Sequence, residues 1–190
     1  MVETSIQHII GTVALIGLVI STGLFYTVFT SFVQDDNRRR VLGQISESVA
    51  LNLEEMINLV KFSKYSSDYL LKIIDLPTDV GGKAYKIQLV NESNRLFVHT
   101  FLATQQTLNA NSTIPYNSGE IPLKWNATDP MRETDPVYEI TVGVDNLKIA
   151  CSGTIYGKNG TVIWTNLDWD LETAVPVSIT IGIGWVKAQQ

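Results

Sequence analysis

The sequence IIGTVALIGLVISTGLFYTVFTSFV occupies residues 9–33 and contains no charged side chain. All fourteen Lys and Arg residues follow it, as do eighteen of the nineteen acidic residues. As a helix this stretch would be about 37 Å long, which exceeds the roughly 30 Å hydrocarbon thickness of a bilayer. A core helix of a water-soluble domain carries a polar stripe with a period of 3.6 residues, and this stretch has none. The stretch is therefore predicted to be a helix that lies in a membrane or in the apolar core of a filament.

A cleaved secretory signal is the main alternative for this segment. Such signals begin with basic residues and contain an apolar run of roughly 7–15 residues. This chain begins with Met-Val-Glu, has no Lys or Arg before Arg38, and carries a longer apolar run. Cleavage within the segment is therefore not expected.

The segment after residue 33 is predicted to continue the same helix with an amphipathic pattern. Proline is absent before Pro77, and Gly43 is the only weak point in this half of the helix. Apolar residues recur at steps of three and four, and form one stripe that needs a partner surface: Val41, Ile45, Val49, Leu53, Met56 or Ile57, and Val60. The predicted helix therefore occupies residues 1–66, with an apolar part over 4–33 and an amphipathic part over 34–66.

Residues 67–190 are predicted to form a β-rich globular head. Alternation over residues 85–90 and 96–102, separated by the turn at 91–94, predicts a hairpin. Residues 104–136 are rich in Asn, Ser, Thr and Pro, and are predicted to be a surface excursion with short strand pieces near 121–125. Further strands are predicted at 138–144, 147–155 and 175–185, and Asn159-Gly160 predicts a tight two-residue hairpin. The predicted fold class is α+β: a long N-terminal helix followed by an antiparallel β-sandwich-like head.

The residues that usually carry chemistry are sparse. His8 and His99 are far apart in the predicted fold, and Cys151 is the only cysteine. The sequence contains no metal-ligand spacing, phosphate-binding loop or nucleophile motif. The net charge of −5 argues against a nucleic-acid partner. We therefore predict a protein that is not an enzyme, with no catalytic residue, no cofactor and no metal.

Two signals disagree about which side of the membrane the head occupies. Arg38, Arg39 and Arg40 follow the apolar stretch, and the positive-inside rule would place the head in the cytoplasm. Four glycosylation sequons in the head favour the outside instead, at Asn91, Asn111, Asn126 and Asn159. We predict an external head, because four sequons occur within the last hundred residues.

The chain resembles archaeal type IV pilin-like and archaellin-related proteins. An apolar helix near the N-terminus that continues amphipathically into a β-rich head is similar to the pilin plan. The sequence DLPTDVGGKAYKIQL at residues 75–89 resembles the proline, double-glycine and tyrosine opening of a strand in the archaeal members. The resemblance implies a structural subunit of an extracellular surface filament, for adhesion or motility, that polymerises with itself through its helix after storage in the membrane.

The resemblance also implies processing and packing residues. Family members are made with a short basic leader that is removed before the apolar helix. This sequence starts at Met1, so either a leader lies upstream or the protein stays unprocessed in the membrane. Many bacterial members carry a glutamate near the mature start that pairs with a neighbouring subunit's terminal amine; Glu3 is the only candidate for it here, although its spacing differs from the bacterial pattern, and a simple interfacial charge is the alternative. Small residues that allow close helix approach are further packing candidates: Gly11, Ala14, Gly17 and Gly23.

A second hypothesis belongs to a different class of protein. In it, the chain is a single-pass membrane protein whose β-sandwich head binds an envelope or surface-layer partner, as archaellum accessory proteins of similar plan do. The start at Met1 favours this hypothesis, whereas the long amphipathic second half of the helix favours the filament subunit.

Overall fold

The computed structural model describes residues 2–62, 69–92, 95–116, 121, 123–125, 138–142, 147–151, 154–157, 160–170 and 175–186. The first element is a single helix, α1 (Val2–Phe62). This confirms the predicted long helix as far as Phe62, and residues 63–66 of the prediction lie outside the described residues. Ten strands follow: β1 (Leu70–Ile74), β2 (Tyr85–Glu92), β3 (Arg95–Leu102), β4 (Gln105–Thr113), β5 (Leu123–Trp125), β6 (Tyr138–Val142), β7 (Leu147–Cys151), β8 (Thr154–Tyr156), β9 (Thr161–Asp170) and β10 (Val175–Val186).

The strands form two sheets, which confirms the predicted α+β fold with a β-rich head. The first sheet has the order β1-β9-β10-β7-β6, and β5 adds to it by pairing with β10 in parallel. The second sheet has the order β4-β3-β2-β8. All other pairings in the two sheets are antiparallel.

The chain divides into two compact units, Met1–Arg38 and Arg39–Gln190. The sequence-based division lay at residue 66 instead. The difference arises because the second half of α1 supplies side chains to the core of the head. Its buried apolar residues join those of both sheets in one cluster: Leu42, Ile45, Val49, Ala50, Leu53, Met56, Ile57 and Val60.

One position of the predicted helix stripe is wrong. Leu42 is fully buried, whereas Val41 is 37% exposed. A helix has 3.6 residues per turn, so residues spaced by four point in gradually different directions, and Val41 lies at the margin of the covered face. The contact with the sheets therefore begins one residue later than the pattern suggested.

Two strands were not predicted, and both have a physical explanation. The polar strand β4 lies within residues 104–136, which were predicted to be an excursion. Among the described strands it lies at the edge of its sheet; it buries Leu108, and its other side chains are exposed or half-buried, so its composition is that of a loop. Strand β1 was not predicted because it is short and because its antiparallel partner, β9, lies about ninety residues away in the chain.

The hairpin predicted at Asn159-Gly160 is also wrong. The strand before this turn, β8, belongs to the second sheet, and the strand after it, β9, belongs to the first. Gly160 has a φ of 77°, so the turn signal at this position is real. The turn crosses between sheets because β9 pairs with β1 and β10 instead of returning along β8. The hairpin of β2 and β3 is confirmed over its full length.

A buried hydroxyl connects the helix to the second sheet. Oγ1 of Thr100 in β3 donates to the carbonyl oxygen of Leu42 at 3.0 Å, and Thr100 is fully buried. Oγ1 also lies 3.3 Å from the carbonyl oxygen of Ala110 in β4. One side chain therefore links three elements of the head.

We expect Thr100→Val to lower the free energy of unfolding by about 1 kcal/mol, because the substitution keeps the volume and removes the hydrogen bond to Leu42. The measurement is urea denaturation of the full chain in detergent, followed by tryptophan fluorescence. All four tryptophans lie after residue 124, so the signal reports on the head. Thr100→Ser keeps the hydroxyl and is the control for its loss; equal stability of the Val variant and the wild type would contradict the prediction.

Tyr85 occupies a tightly confined position in the second sheet. Its side chain is fully buried, and its Oη donates to the carbonyl oxygen of Pro77 at 2.7 Å. Gly157 lies directly against the phenol ring, and its backbone N–H donates to the carbonyl oxygen of Tyr85 at 3.0 Å. Burial, with a smaller contribution from the negative charge of Asp79, raises the pKa of Tyr85 well above its ordinary value.

The raised pKa of Tyr85 predicts a loss of stability at alkaline pH. The unfolded phenol ionises near pH 10 and the folded phenol only at higher pH, so its contribution is complete below about pH 10 and falls above it. We expect Tyr85→Phe to be less stable than the wild type by about 1 kcal/mol at pH 8. That deficit should narrow at pH 11 in urea titrations of the full chain. A deficit that is the same at both pH values would contradict the prediction.

Candidate functional site

The first half of α1 presents an apolar surface on every side. Over residues 10–33 all side chains are exposed except Thr30, which is half-buried. Leu18 is 66% exposed and Phe32 is 72% exposed, values that are extreme for side chains of this size in water. Within the described residues, one helix is long and apolar enough to cross a membrane, by its length and composition. The exposed surface needs lipid or another apolar surface around it.

The hydroxyl groups in this stretch are satisfied within the helix. Each of its Ser and Thr side chains donates to a carbonyl oxygen three or four residues earlier, at 2.8–3.0 Å: Thr12, Ser21, Thr22, Thr27, Thr30 and Ser31. Such bonds remove the cost of placing a hydroxyl in a medium without water. The polar residues of the stretch are therefore compatible with an apolar environment. These bonds were not predicted, although any Ser or Thr within a helix has a carbonyl oxygen of its own helix three or four residues earlier in reach.

The small residues predicted for helix packing lie on open surface. A Cβ atom built on Gly11, Gly17 or Gly23 would meet nothing within 4 Å, and Ala14 is exposed. At 100° per residue these positions are distributed around the helix instead of forming one line. Because their side chains are small and lie on several sides of α1, more than one neighbouring helix could approach its backbone closely.

Polar residues mark the end of the apolar stretch. Nη1 of Arg38 lies 2.9 Å from Oδ1 of Asp35, three residues earlier on the helix. Arg39 and Arg40 are exposed. This change from a surface without charges to ion-paired side chains is the boundary expected where a helix leaves an apolar medium.

Exposed apolar side chains continue into the second half of α1. Val41 is 37% exposed, and Leu51 and Leu59 are each 55% exposed. They lie on the surface of the helix that the head leaves uncovered, among the exposed residues Glu47 and Glu55. The predicted stripe lies on the buried side of this segment, and no role was predicted for Leu51 or Leu59.

The remaining predicted residues are placed as follows. Glu3 lies in the first turn of α1, and its side chain is outside the described residues. Asn91 lies in β2 and Asn111 in β4, and Asn111 is exposed. Asn126 and Asn159 lie outside the described residues. The candidate site is thus the exposed surface of α1, and Asn111, the sequon asparagine whose side chain is described, lies apart from it in β4.

Metal ligation and similarity to known proteins add no further assignment. Among the described side chains, no group of three His, Cys, Asp or Glu residues could hold a metal ion. Comparisons with protein-family models, with curated proteins and with solved structures found no match. The fold and the exposed surface together define the class of this protein: an α+β chain in which a continuous helix is apolar and uncovered over its first half and belongs to the core of a β-rich head over its second half.

Proposed function

We propose that this protein is a structural subunit of an extracellular surface filament, in which copies of the chain pack through α1. The observation that carries the proposal is that exposed apolar side chains occur on both sides of the polar boundary at residues 34–40. The stretch at residues 10–33 is long enough to span the hydrocarbon core of a bilayer, which is about 30 Å thick. Leu51 and Leu59, each 55% exposed, lie beyond that boundary, where a bilayer would not cover them. Parallel copies of the same helix would cover both groups.

The chemistry of the first half supports the same function. Hydroxyls bonded within the helix allow it to lie in lipid before assembly and among identical helices afterwards. Open space at Gly11, Gly17 and Gly23 allows those helices to approach closely. A filament built from such contacts repeats one non-closing interface along a screw axis. The β-rich head then faces the outside and supplies the surface for adhesion or motility, including contacts with a surface-layer partner.

The test is fractionation of the native organism. Surface appendages are sheared from intact cells, the membranes are separated, and the chain is quantified in each fraction by mass spectrometry. The proposal expects the chain to be a major component of the sheared filaments, with a smaller pool in the membrane. If the chain is found only in the membrane, as a dispersed single-pass protein, the filament proposal is wrong and the membrane-anchored accessory protein takes its place.

A further inference from the structure

The outer face of the second sheet brings a sequon next to aromatic rings. Three directly paired positions of β3 and β4 form this patch, which we name the β3–β4 patch: Phe97 with Thr113, His99 with Asn111, and Phe101 with Asn109. The alternate residues of β3, including Val98 and Thr100, are buried against the core. The β3–β4 patch therefore lies on the opposite side of the sheet from these residues, and within it Phe97 and His99 are half-buried whereas Phe101 is only 8% exposed.

The sequon in this patch is accessible. Asn111 and Thr113 are both exposed and lie two residues apart, so they share one face of β4. Among the described strands, β4 pairs with β3 alone and is the edge of its sheet. An enzyme that must reach both side chains can approach along this edge without separating two strands.

The side chain of Asn111 is already oriented by its neighbour. Nδ1 of His99 contacts Oδ1 of Asn111 across the strand pair. Because Oδ1 accepts, Nδ1 is the donor in this contact. The amide nitrogen Nδ2, which is the atom that a sugar would join, takes no part in it. The contact therefore fixes the carboxamide while leaving the reactive atom available.

Two half-buried rings flank the position that a first sugar would occupy: His99 lies directly across from Asn111, and Phe97 lies at a diagonal position. The ring of Phe101 lies 5.1 Å from that of His99 and supports it from below, but Phe101 is only 8% exposed and offers no surface to a sugar. Side chains directly across a strand pair are about 5 Å apart and diagonal ones about 7–8 Å, which is the scale of one sugar ring. The C–H groups of a sugar carry a small positive charge and pack on the negative face of an aromatic ring, as other ring edges do.

We propose that Asn111 carries an N-linked glycan whose first sugar packs on the rings of Phe97 and His99. In the reaction, the bond between the anomeric carbon of a lipid-phosphate-activated sugar and its phosphate oxygen breaks. A bond from Nδ2 of Asn111 to that carbon forms, the lipid phosphate leaves with the electron pair, and one Nδ2 proton is released. The inference rests on the external head of the proposed function, since the glycosyl donor and its transferase act outside the cytoplasm.

The sequence makes the occupancy test unusually direct. Trypsin cuts the head so that each sequon falls in its own peptide, and the Asn111 peptide comprises residues 96–124. In protein purified from the native organism, we expect this peptide to carry a sugar mass on Asn111. Thr113→Ala destroys the sequon, keeps the Asn111 contact with His99 and should remove the mass, whereas Thr113→Ser should retain it. An unmodified Asn111 in the wild-type protein would overturn the proposal.

A second measurement tests the packing of the sugar on the rings. Wild type and Thr113→Ala are melted by temperature as full chains in detergent, and the pair is repeated with Phe97→Leu in both. Loss of the glycan should lower the melting temperature by a few degrees in the pair that retains Phe97. In the pair that carries Phe97→Leu, the loss should be less than half as large. An equal loss in both pairs would overturn the packing on Phe97.

The outcomes also separate this inference from the filament proposal. A glycan on Asn111 in a chain confined to the membrane supports the inference and overturns the filament. An unmodified Asn111 in sheared filaments overturns the inference and supports the filament.

Discussion

Leu18→Arg is expected to change where the protein is found. The ratio of protein in filaments and membranes to protein in the supernatant should fall by about 100-fold. Leu18 lies near the middle of the uncharged stretch and is 66% exposed, so the new charge would face whatever medium covers the helix. Placing an arginine at the centre of an apolar span costs about 3 kcal/mol, and every 1.4 kcal/mol is a factor of ten. The measurement is quantitative immunoblotting of sheared filaments, membranes and supernatant.

Two controls separate the environment of α1 from the charge itself. Thr107→Arg adds the same side chain at an exposed position of β4 and should leave the distribution unchanged. Leu18→Met keeps the apolar character of the helix and should also leave it unchanged. If Leu18→Arg distributes like the wild type, the first half of α1 is not surrounded by an apolar medium, and the account of its function is wrong.

Gly157→Ala is expected to be strongly destabilising for a change of a single methyl group. A Cβ atom at this position would lie 1.9 Å from Cζ of Tyr85, far inside any allowed contact. The phenol cannot move aside easily because it is fully buried and its Oη is bonded to the carbonyl oxygen of Pro77. Overpacking of this kind costs roughly 1–3 kcal/mol or more. Urea denaturation of the full chain, followed by tryptophan fluorescence, measures the effect.

Gly43→Ala is the matched control for that substitution. Gly43 lies within α1, and a Cβ atom there would meet nothing within 4 Å. Alanine is about 1 kcal/mol better than glycine in a helix interior, so this variant should be as stable as the wild type or more stable. The prediction for Gly157 fails if both alanine variants unfold at the same urea concentration as the wild type.

The parts of the fold that depend on local pattern were predictable from the sequence. The uncharged stretch, the stripe at Ile45, Val49 and Leu53, and the alternation around the β2–β3 turn each identify an element from its own residues. Elements defined by distant partners were not predictable in this way. Strand β4 reads as a loop because only Leu108 is fully buried, and the turn at Gly160 does not specify which sheet the next strand joins.

The candidate surfaces show the same division. The apolar surface of the first half of α1 follows directly from composition, since no arrangement of the helix gives it a polar side. The β3–β4 patch does not, because it requires the register that sets His99 opposite Asn111. The sequon was visible in the sequence, whereas its aromatic neighbours depend on a strand whose existence the composition concealed.

Cysteine cross-linking within assembled protein tests the central claim, that α1 packs against copies of itself. Cys151→Ser removes the only native thiol, and single cysteines are then placed at residues 11, 14, 17 and 23, which point in different directions around the helix. Disulfides need Cα atoms about 4.4–6.8 Å apart, so they form only between closely packed helices. We predict covalent dimers on mild oxidation of sheared filaments for at least one position, and none after dispersal in detergent. Assembled filaments that give no dimer at any of the four positions would contradict the account.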